Sequence, residues 1–420
     1  MSGERAFLTR LFKAAVAAAD PEVVLRPFLP PRPAGRTVVV GAGKGVAQLA
    51  RALENAWDGP LSGIVVTRYG YGAPCERIRV VEASHPVPDQ AGLEATTLLF
   101  EQVRGLEPDD LVIALICGGS SALLPAPPEG LTLQDEMSLN EVLLASGAPI
   151  SVMNMIRKQV SRIKGGRLAA AAWPARVASL IVSDIPGDNP ALVGSGPTVP
   201  DPTTCQDALN AAERYNIPLP AVVRRHLEAL TVESPCPDDP VFQKNTVQII
   251  ASASISLEAA AAVSEMEGIR AVILSDSIEG EARDIAQMHA AIAREIVMRN
   301  RPFPKPVVLL SGGETTVTLR GKGKGGRNSE FALGLAIGIS GIEGIHALAA
   351  DTDGIDGSED NAGAFADSFT AARLYQYGLD PEIFLRRNDA WTAFSKLNDL
   401  FVTGPTGTNV NDFRAILISE

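Results

Sequence analysis

The sequence predicts an α/β protein with two domains. Short apolar runs lead into glycine turns and then into alanine-rich helical patterns, as in residues 36–54, and this order is typical of a βαβ unit. The chain has 420 residues, which is more than one domain usually contains. Prolines and acidic residues are concentrated at 200–245, as in a linker. We therefore expect an N-terminal domain at residues 1–240 and a C-terminal domain at 241–420.

Composition and charge narrow the class of protein. An apolar fraction of 46% with 20% charged residues is typical of a soluble globular protein. The net charge of −12 argues against a nucleic-acid or anionic-membrane surface. The four cysteines show no CxxC pair and no metal-binding spacing, so we expect reduced thiols in a cytoplasmic protein. No apolar run has the length of a membrane span or of a signal peptide.

The first glycine turn follows the apolar run at residues 36–40 and contains Lys44. It is similar to a dinucleotide fingerprint, but GxGxxG requires a third glycine where Val46 stands. Lys44 either reaches a phosphate or carboxylate, or lies at an ordinary exposed helix start. Further along, prolines fix the loop that contains Ser84 and His85, so His85 either faces a site or is structural.

A second turn, Gly118 to Ser121, follows the apolar run at 111–116. Such a run predicts a parallel strand buried on both faces, and α/β proteins bind ligands outside the carboxyl ends of these strands. Ser120 and Ser121 could therefore bind an oxyanion with hydroxyl and N–H groups. A serine nucleophile is disfavoured because GxSxG is absent and no histidine follows in a triad-like context.

Two further segments of the N-terminal half are candidates. Residues 154–168 form a basic amphipathic pattern with a Gly-Gly break, and Arg157 belongs to it. That face is either simply solvated or binds an anion. Asp184 follows the apolar run at 180–183, and carboxylates at strand ends commonly hold a metal or polarise a substrate hydroxyl.

The C-terminal half contains the strongest anion-binding pattern. We predict a strand at 306–310, a turn at Gly312 and Gly313, and a second strand at 315–320, followed by the basic loop 321–327 and a helix near Phe331. Glycines allow close backbone approach, and a helix start adds N–H donors. A polyphosphate fits best, although a solvated hairpin would show the same residues. The loop is not a Walker A motif.

Two polar loops complete the set of candidates. Residues 351–357 alternate carboxylates with glycines after an apolar run, as in a cation-coordinating or phosphate-facing loop, although a capped loop before a helix is the alternative. An EF-hand is excluded because its twelfth position is Ala362. Residues 403–412 form a polar glycine loop before the last strand.

Together these motifs resemble one known family, the class II glycerate kinases, whose C-terminal half is called the MOFRL domain. The resemblance covers nearly the whole chain, in order, at residues 41–44, 84–86, 117–122, 157–158, 164–167, 183–188, 195–198, 311–330, 352–357 and 403–412. It implies a Rossmann-like N-terminal domain with a largely parallel sheet, a MOFRL-type C-terminal α/β domain, and a site in the cleft between them. It also implies phosphorylation of D-glycerate to 2-phosphoglycerate with ATP and Mg²⁺, and a possible homodimer.

The resemblance assigns roles to positions of this sequence. It implies catalytic roles for Lys44, Asp184, Arg327 and Asp353, with the two aspartates also holding the metal. The substrate would contact Ser84, His85, Gly119, Ser120, Ser121 and Arg157. The nucleotide would contact Gly312, Gly313, Glu314, Lys322, Lys324, Gly325, Gly326 and Asn409. Ser329 stands where the family pattern has glutamine, which leaves the contacts of that position open.

Two other functions compete with the kinase. Some relatives carry the label hydroxypyruvate reductase, from operons of tartrate metabolism, but the missing third glycine disfavours an NAD(P)H-dependent enzyme. A non-catalytic nucleotide-binding sensor would keep the glycine loops, but it would not need several carboxylates at strand ends.

Ligand-induced thermal stabilisation separates the reductase from the two ATP-binding alternatives, the kinase and the sensor. A ligand that binds only the folded protein stabilises it by RT ln(1 + [L]/Kd). We expect ATP with Mg²⁺ to raise the melting temperature and NADH to leave it unchanged. Stabilisation by NADH alone would contradict the kinase interpretation.

Overall fold

The computed structural model describes residues 3–229 and 233–419. These residues form two compact units. We call residues 24–229 with 233–250 the N-terminal unit, and residues 3–23 with 251–419 the C-terminal unit. A six-stranded sheet lies in each, so the predicted α/β class with two domains is confirmed. In the described residues, no helix is long and apolar enough to cross a membrane.

The strands of the first sheet are β1 (Thr37–Ala42), β2 (Ser62–Arg68), β3 (Ile78–Ala83), β4 (Leu111–Ile116), β5 (Arg176–Val182) and β6 (Thr246–Ala251). Those of the second are β7 (Arg270–Glu281), β8 (Val307–Thr316), β9 (Ile345–Asp351), β10 (Gly363–Asp367), β11 (Leu400–Phe401) and β12 (Asp412–Ile418).

The helices are α1 (Gly3–Ala17), α2 (Pro21–Val24), α3 (Val46–Ala56), α4 (Gln90–Val103), α5 (Ser120–Leu123), α6 (Leu133–Ala145), α7 (Ile150–Gln159), α8 (Arg167–Ala172), α9 (Cys205–Arg214) and α10 (Ala221–Glu228). They continue with α11 (Ala253–Met266), α12 (Ala282–Arg299), α13 (Arg327–Gly338), α14 (Thr370–Gln376), α15 (Pro381–Arg386) and α16 (Ala390–Leu397).

The N-terminal sheet has the strand order β3-β2-β1-β4-β5-β6. The neighbouring strands from β3 to β5 are parallel. This is the strand order of the doubly wound Rossmann fold, so the predicted Rossmann-like sheet is confirmed. Every residue of β1 and β4 is buried, because a central parallel strand is covered on both faces.

The C-terminal sheet is mixed, in the order β11-β10-β9-β12-β8-β7. Strand β12 is antiparallel to both β8 and β9, while β7 and β8 are parallel. Alternate residues of β8 face opposite sides. Val308 and Leu310 belong to the core with α1 and α11, whereas Val307 and Leu309 belong to the core with α12 and α13.

The boundary between the units differs from the predicted one at 240/241. Helix α1 was expected in the N-terminal domain, but its apolar face, including Leu8 and Phe12, packs in one core with Leu257 of α11. At the other end, β6 completes the N-terminal sheet, so that unit extends to residue 250. An amphipathic helix shows which of its faces is buried, but its sequence does not say which sheet covers it.

The predicted turn at Gly312 and Gly313 is wrong, because both glycines lie inside the continuous strand β8. Gly313 pairs with Asp412 of β12 on one side and with Ile278 of β7 on the other. Its φ is 119°, and a Cβ atom there would lie 2.3 Å from the backbone N and O of Ile278. Gly313 therefore permits the close approach of an irregular neighbouring strand. No second strand follows, because β8 ends at Thr316 and residues 317–326 are neither strand nor helix.

We expect Gly313→Ala to destabilise the protein by more than about 2 kcal/mol, because it adds an unfavourable φ and a clash with backbone atoms. Gly312→Ala is the matched control, since a Cβ there would meet its nearest atoms at 3.3 Å. Urea unfolding of both variants measures the difference. Equal midpoints for the two variants would contradict this explanation.

Candidate functional site

The switch point of the N-terminal sheet lies at the carboxyl ends of β1 and β4, where the strand order reverses. In open α/β sheets this switch point is where ligands bind. The loops after the two strands are joined here, because Lys44 N donates to Gly118 O at 2.9 Å. The two turns predicted from the sequence therefore form one site.

Three predicted side chains surround the Gly118-Gly119 turn. A Cβ atom on Gly118 would lie 1.8 Å from Oδ2 of Asp184. One on Gly119 would lie 3.0 Å from Nε2 of His85 and 3.2 Å from Cγ of Lys44. Gly119 also has a φ of 84°, so both the close contacts and the backbone conformation favour glycine. The structure thus places a cation, an imidazole and a carboxylate around one turn.

The surroundings determine the protonation of two groups beside this turn. Burial, with the positive charges of Lys44 and Arg68, lowers the pKa of His85 to about 4, so the imidazole is neutral at pH 7. Burial and the nearby Asp184 raise the pKa of Cys117 to about 12. The Cys117 thiol is therefore not a nucleophile at neutral pH.

The two serines of the second turn have different surroundings. Ser120 is only 1% exposed, and its Oγ has no hydrogen-bond partner among the described residues. Ser121 Oγ lies 3.0 Å from Ser195 Oγ. Ser195 was noted in the sequence only as part of the 195–198 motif, and its hydroxyl continues to Asn154 Oδ1 at 3.2 Å.

The helix predicted in the basic segment 154–168 stops before the expected Gly-Gly break, because α7 ends at Gln159. Its lysines are buried rather than solvated. Lys158 pairs with Asp201 at 3.6 Å, and Lys164 pairs with Glu136 at 2.6 Å. Arg157 instead donates to amide oxygens, from Nε to Asn140 at 2.7 Å and from NH1 to Asn154 at 3.5 Å. Sequence reasoning assigned no role to Asn140, Asn154 or Ser195, because their contacts join distant segments, although Asn154 and Ser195 lie in motifs that the sequence singled out.

In the C-terminal unit, Arg327 forms ion pairs with three carboxylates, at 2.6 Å with Asp412, 2.8 Å with Asp351 and 3.1 Å with Glu314. Burial alone would lower the pKa of Arg327, but these charges raise it above its ordinary value. Burial and the neighbouring charge of Asp353 raise the pKa of Asp351. Arg327, which the sequence predicts to bind a phosphoryl group, therefore remains charged, and carboxylates of the protein itself balance its charge.

The predicted phosphate cradle before α13 already holds a carboxylate. Asp356 is 1% exposed and accepts from the N–H groups of Gly326 at 3.2 Å, Asn328 at 2.9 Å and Ser329 at 2.8 Å. These are the donors at the helix start that the sequence assigned to phosphate. Ser329, the departure from the family pattern, also accepts from Gly326 N through its Oγ at 3.0 Å.

Glycines of the basic loop serve packing in this structure. A Cβ on Gly321 would lie 2.3 Å from Arg387 O, and one on Gly326 would lie 2.4 Å from Asp356 Oδ1. Lys324 pairs with Glu359 at 3.2 Å and lies over the Trp391 ring. Three further residues were predicted to contact the nucleotide. Lys322 is exposed, and Gly325 lies against Trp391. Asn409 Oδ1 accepts from Asn411 N at 3.0 Å. Their binding of a nucleotide stays a prediction.

The structure describes no dedicated metal cage. Residues 3–229 and 233–419 contain no group of three or more His, Cys, Asp or Glu residues placed to hold a metal ion. Asp184 and Asp353, the predicted ligands, belong to different units. Asp353 is partly exposed, and its Oδ1 accepts from Ile355 N at 2.9 Å. Such single carboxylates suit Mg²⁺ only when a substrate and water complete its coordination.

We expect His85 to remain neutral down to about pH 5, because its pKa is about 4 rather than 6.5. The unfolded chain takes up this proton first as the pH falls. The free energy of unfolding therefore decreases as the pH falls from 6.5 to 4, and this loss of stability remains below pH 4. NMR titration of ¹³C-labelled histidines measures the pKa of His85, and the signal that is missing in His85→Gln identifies this residue. A midpoint near 6.5 would contradict the burial argument.

Known proteins resemble this chain over nearly its whole length. A model described as a domain of unknown function, DUF4147, matches residues 7–228, and the MOFRL family model matches residues 307–412. A putative hydroxypyruvate reductase of Agrobacterium vitis is 50% identical over 99% of this chain and 94% of its own. The glycerate 2-kinase of Pyrococcus horikoshii is 41% identical over 92% of this chain and 88% of its own.

A solved structure agrees with these relatives. The crystal structure of glycerate kinase from Thermotoga maritima matches with a TM-score of 0.91 and 36% sequence identity, over 100% of both chains. The resemblance found in the sequence motifs is thereby confirmed. The chain belongs to the MOFRL-containing family of glycerate kinases, in which some members carry the name hydroxypyruvate reductase.

Proposed function

We propose that this protein is a glycerate 2-kinase, which transfers the γ-phosphoryl group of ATP to the 2-hydroxyl of D-glycerate. The observation that carries the proposal is the convergence of Lys44, His85 and Asp184 on the Gly118-Gly119 turn at the switch point of the sheet. Relatives named glycerate kinase support it.

The reaction requires positive charge near the transferred group and a group that accepts the hydroxyl proton. The glycerate oxygen forms a bond to the γ-phosphorus while the bond from that phosphorus to the β,γ-bridging oxygen breaks, leaving ADP. No carboxylate of the described residues forms an ion pair with Lys44, and its neighbour His85 is neutral, so the charge of Lys44 would be available to the phosphoryl group. Asp184 is partly exposed and would orient the hydroxyl and receive its proton.

The substrate carboxylate needs its own partners. Arg157 would supply a guanidinium and Ser121 a backbone N–H, and Ser120 and Gly119 would supply the turn on which the carboxylate rests. Neutral His85, against Gly119, donates or accepts a hydrogen bond without adding charge. Ser84 is next to it in the chain and completes this predicted set.

ATP with Mg²⁺ is the proposed phosphoryl donor. Asp184 or Asp353 would contribute a carboxylate to Mg²⁺, which would supply positive charge against the phosphates. Lys322 and Lys324 are exposed cations for the phosphates. Arg327 would contact a phosphate only by exchanging a carboxylate, and its exposed partner Glu314 is the easiest to displace. The position of the reaction between the two domains, the cytoplasmic location and the homodimer stay predictions.

Hydroxypyruvate reductase is the second candidate, because a relative 50% identical to this chain carries that name. The glycine turn argues against it. A Cβ on Gly43 would lie 2.5 Å from Cys117 Cβ, so this glycine is needed for packing against the loop after β4. Val46, at the third position of the fingerprint, is a fully buried residue at the start of α3.

An assay with D-glycerate, ATP and Mg²⁺, read by phosphorus NMR, tests the proposal against a parallel reaction with hydroxypyruvate and NADH. We expect 2-phosphoglycerate to accumulate and NADH to remain. Consumption of NADH without consumption of ATP would replace the kinase with the reductase.

We expect Lys44→Met and Asp184→Asn each to lower kcat/KM at least about 100-fold, because each removes a group that acts on the transferred phosphoryl or the hydroxyl. Their melting temperatures should stay close to that of the wild type. Lys244→Met, at an exposed lysine of the same unit, is the matched control and should keep full activity. Near-normal turnover in either site variant would remove that residue from the mechanism.

A further inference from the structure

Arg157 is a partly buried cation that is held by neutral groups. Its Nε and NH1 donate to the amide oxygens of Asn140 and Asn154. Arginine has only donors, so both amides must present their oxygens to it. In the part of the chain that the structure describes, no carboxylate forms an ion pair with Arg157.

Neighbouring cations show the contrast. Lys158 and Lys164, from the same basic segment, are paired with Asp201 and Glu136. Glu136 also acts on Arg157 at longer range, but its Oε1 lies 2.6 Å from Lys164 Nζ. Burial lowers the pKa of Arg157, which reflects the cost of keeping this charge without a counter-ion. The guanidinium of Arg157 is therefore held in position, and no carboxylate of the described residues balances its charge, so an anion can pair with it.

Asn154 connects this cation to the serine turn. Its Oδ1 accepts from both Arg157 NH1 and Ser195 Oγ, and Ser195 Oγ lies 3.0 Å from Ser121 Oγ. Ser195 has a φ of 63°, which non-glycine residues seldom adopt. Such strain is concentrated at functional sites, and here it holds the Ser195 hydroxyl between Ser121 and the Asn154 amide that holds Arg157.

We propose that Asn140, Asn154 and Ser195 are positioning residues that make Arg157 a receptor for the carboxylate of a small 2-hydroxy acid. The inference rests on the proposed function and adds the basis of its substrate selectivity. Asn154 holds the guanidinium without neutralising it, and Ser195 fixes the Asn154 amide by donating to its Oδ1 while accepting from the Ser121 hydroxyl. A neutral polyol leaves the cation without a partner and is rejected.

Replacing an amide by a carboxylate tests this directly. Asn154→Asp keeps the shape and strengthens the contact with Arg157, so the fold should be equally or more stable while the cation is neutralised. Ser195→Gly removes the hydroxyl and relieves the unfavourable φ, so a loss of affinity cannot be attributed to backbone strain. Asn210→Asp is the matched control, because Asn210 is exposed on α9 and its Oδ1 accepts from the exposed helix neighbour Gln206.

Calorimetric titration of the full chain with D-glycerate, and with glycerol as the neutral probe, measures affinity without turnover. We expect Asn154→Asp to weaken D-glycerate binding at least tenfold and Ser195→Gly to weaken it severalfold. Glycerol should not bind. Turnover should show a raised KM for D-glycerate, with kcat and the KM for ATP nearly unchanged, and Asn210→Asp should match the wild type.

The outcomes separate the two proposals. Wild-type affinity for D-glycerate in both Asn154→Asp and Ser195→Gly would overturn the receptor, even if the protein is a glycerate kinase. Weakened binding in these variants of a protein that makes no 2-phosphoglycerate would support the receptor and refute the kinase. If the variants that bind D-glycerate more weakly also melt at a clearly lower temperature, these residues have a structural role only. That result would also overturn the receptor.

Discussion

The buried carboxylate of Asp412 is the contact on which the C-terminal unit depends. It begins β12 and accepts from Arg327 and Asn328 of α13 and from Thr315 of β8, and it also pairs with Arg414. Burial would raise the pKa of Asp412, but the two guanidinium groups lower it. Breaking such a pair by removing one partner costs about 3–5 kcal/mol, so these ends of strand and helix are held together by charge.

In the described part of the N-terminal unit, two cations of the candidate site are not paired with carboxylates. Lys44 lies beside the turn that follows β4, Arg157 is held by two amides, and no carboxylate of the described residues forms an ion pair with either. If they bind an anion as proposed, that binding would offset the free energy that their unpaired charges cost. Arg157 and Arg327 thus show one residue type in two roles: the first is held by amides and is available to a ligand, while the second is neutralised by three carboxylates.

The Rossmann strand order occurs here without the dinucleotide fingerprint. The glycines of the first turn permit contact with the loop after β4, and Val46 starts a buried helix in place of the third glycine. Strand order determines where a ligand site lies, at the switch point, but the chemistry depends on the side chains placed there. A cation, a neutral imidazole and a carboxylate around a glycine turn suit phosphoryl transfer better than hydride transfer.

The sequence by itself determined the α/β class and most strand positions. It also placed Lys44, Ser120 and Asp184 after the apolar runs that form β1, β4 and β5, and the carboxyl ends of parallel strands share one edge of a sheet. Only the tertiary structure decided which charges are neutralised. Asp356 fills the start of α13 from 30 positions away in the chain, and Asn154 meets Ser195 across 41 positions. Glycine patterns are equally ambiguous: Gly313 was expected in a turn, but its environment is a strand pressed against β7. Local patterns specify backbone preference and polarity, whereas the partner of a buried charge depends on packing between distant segments.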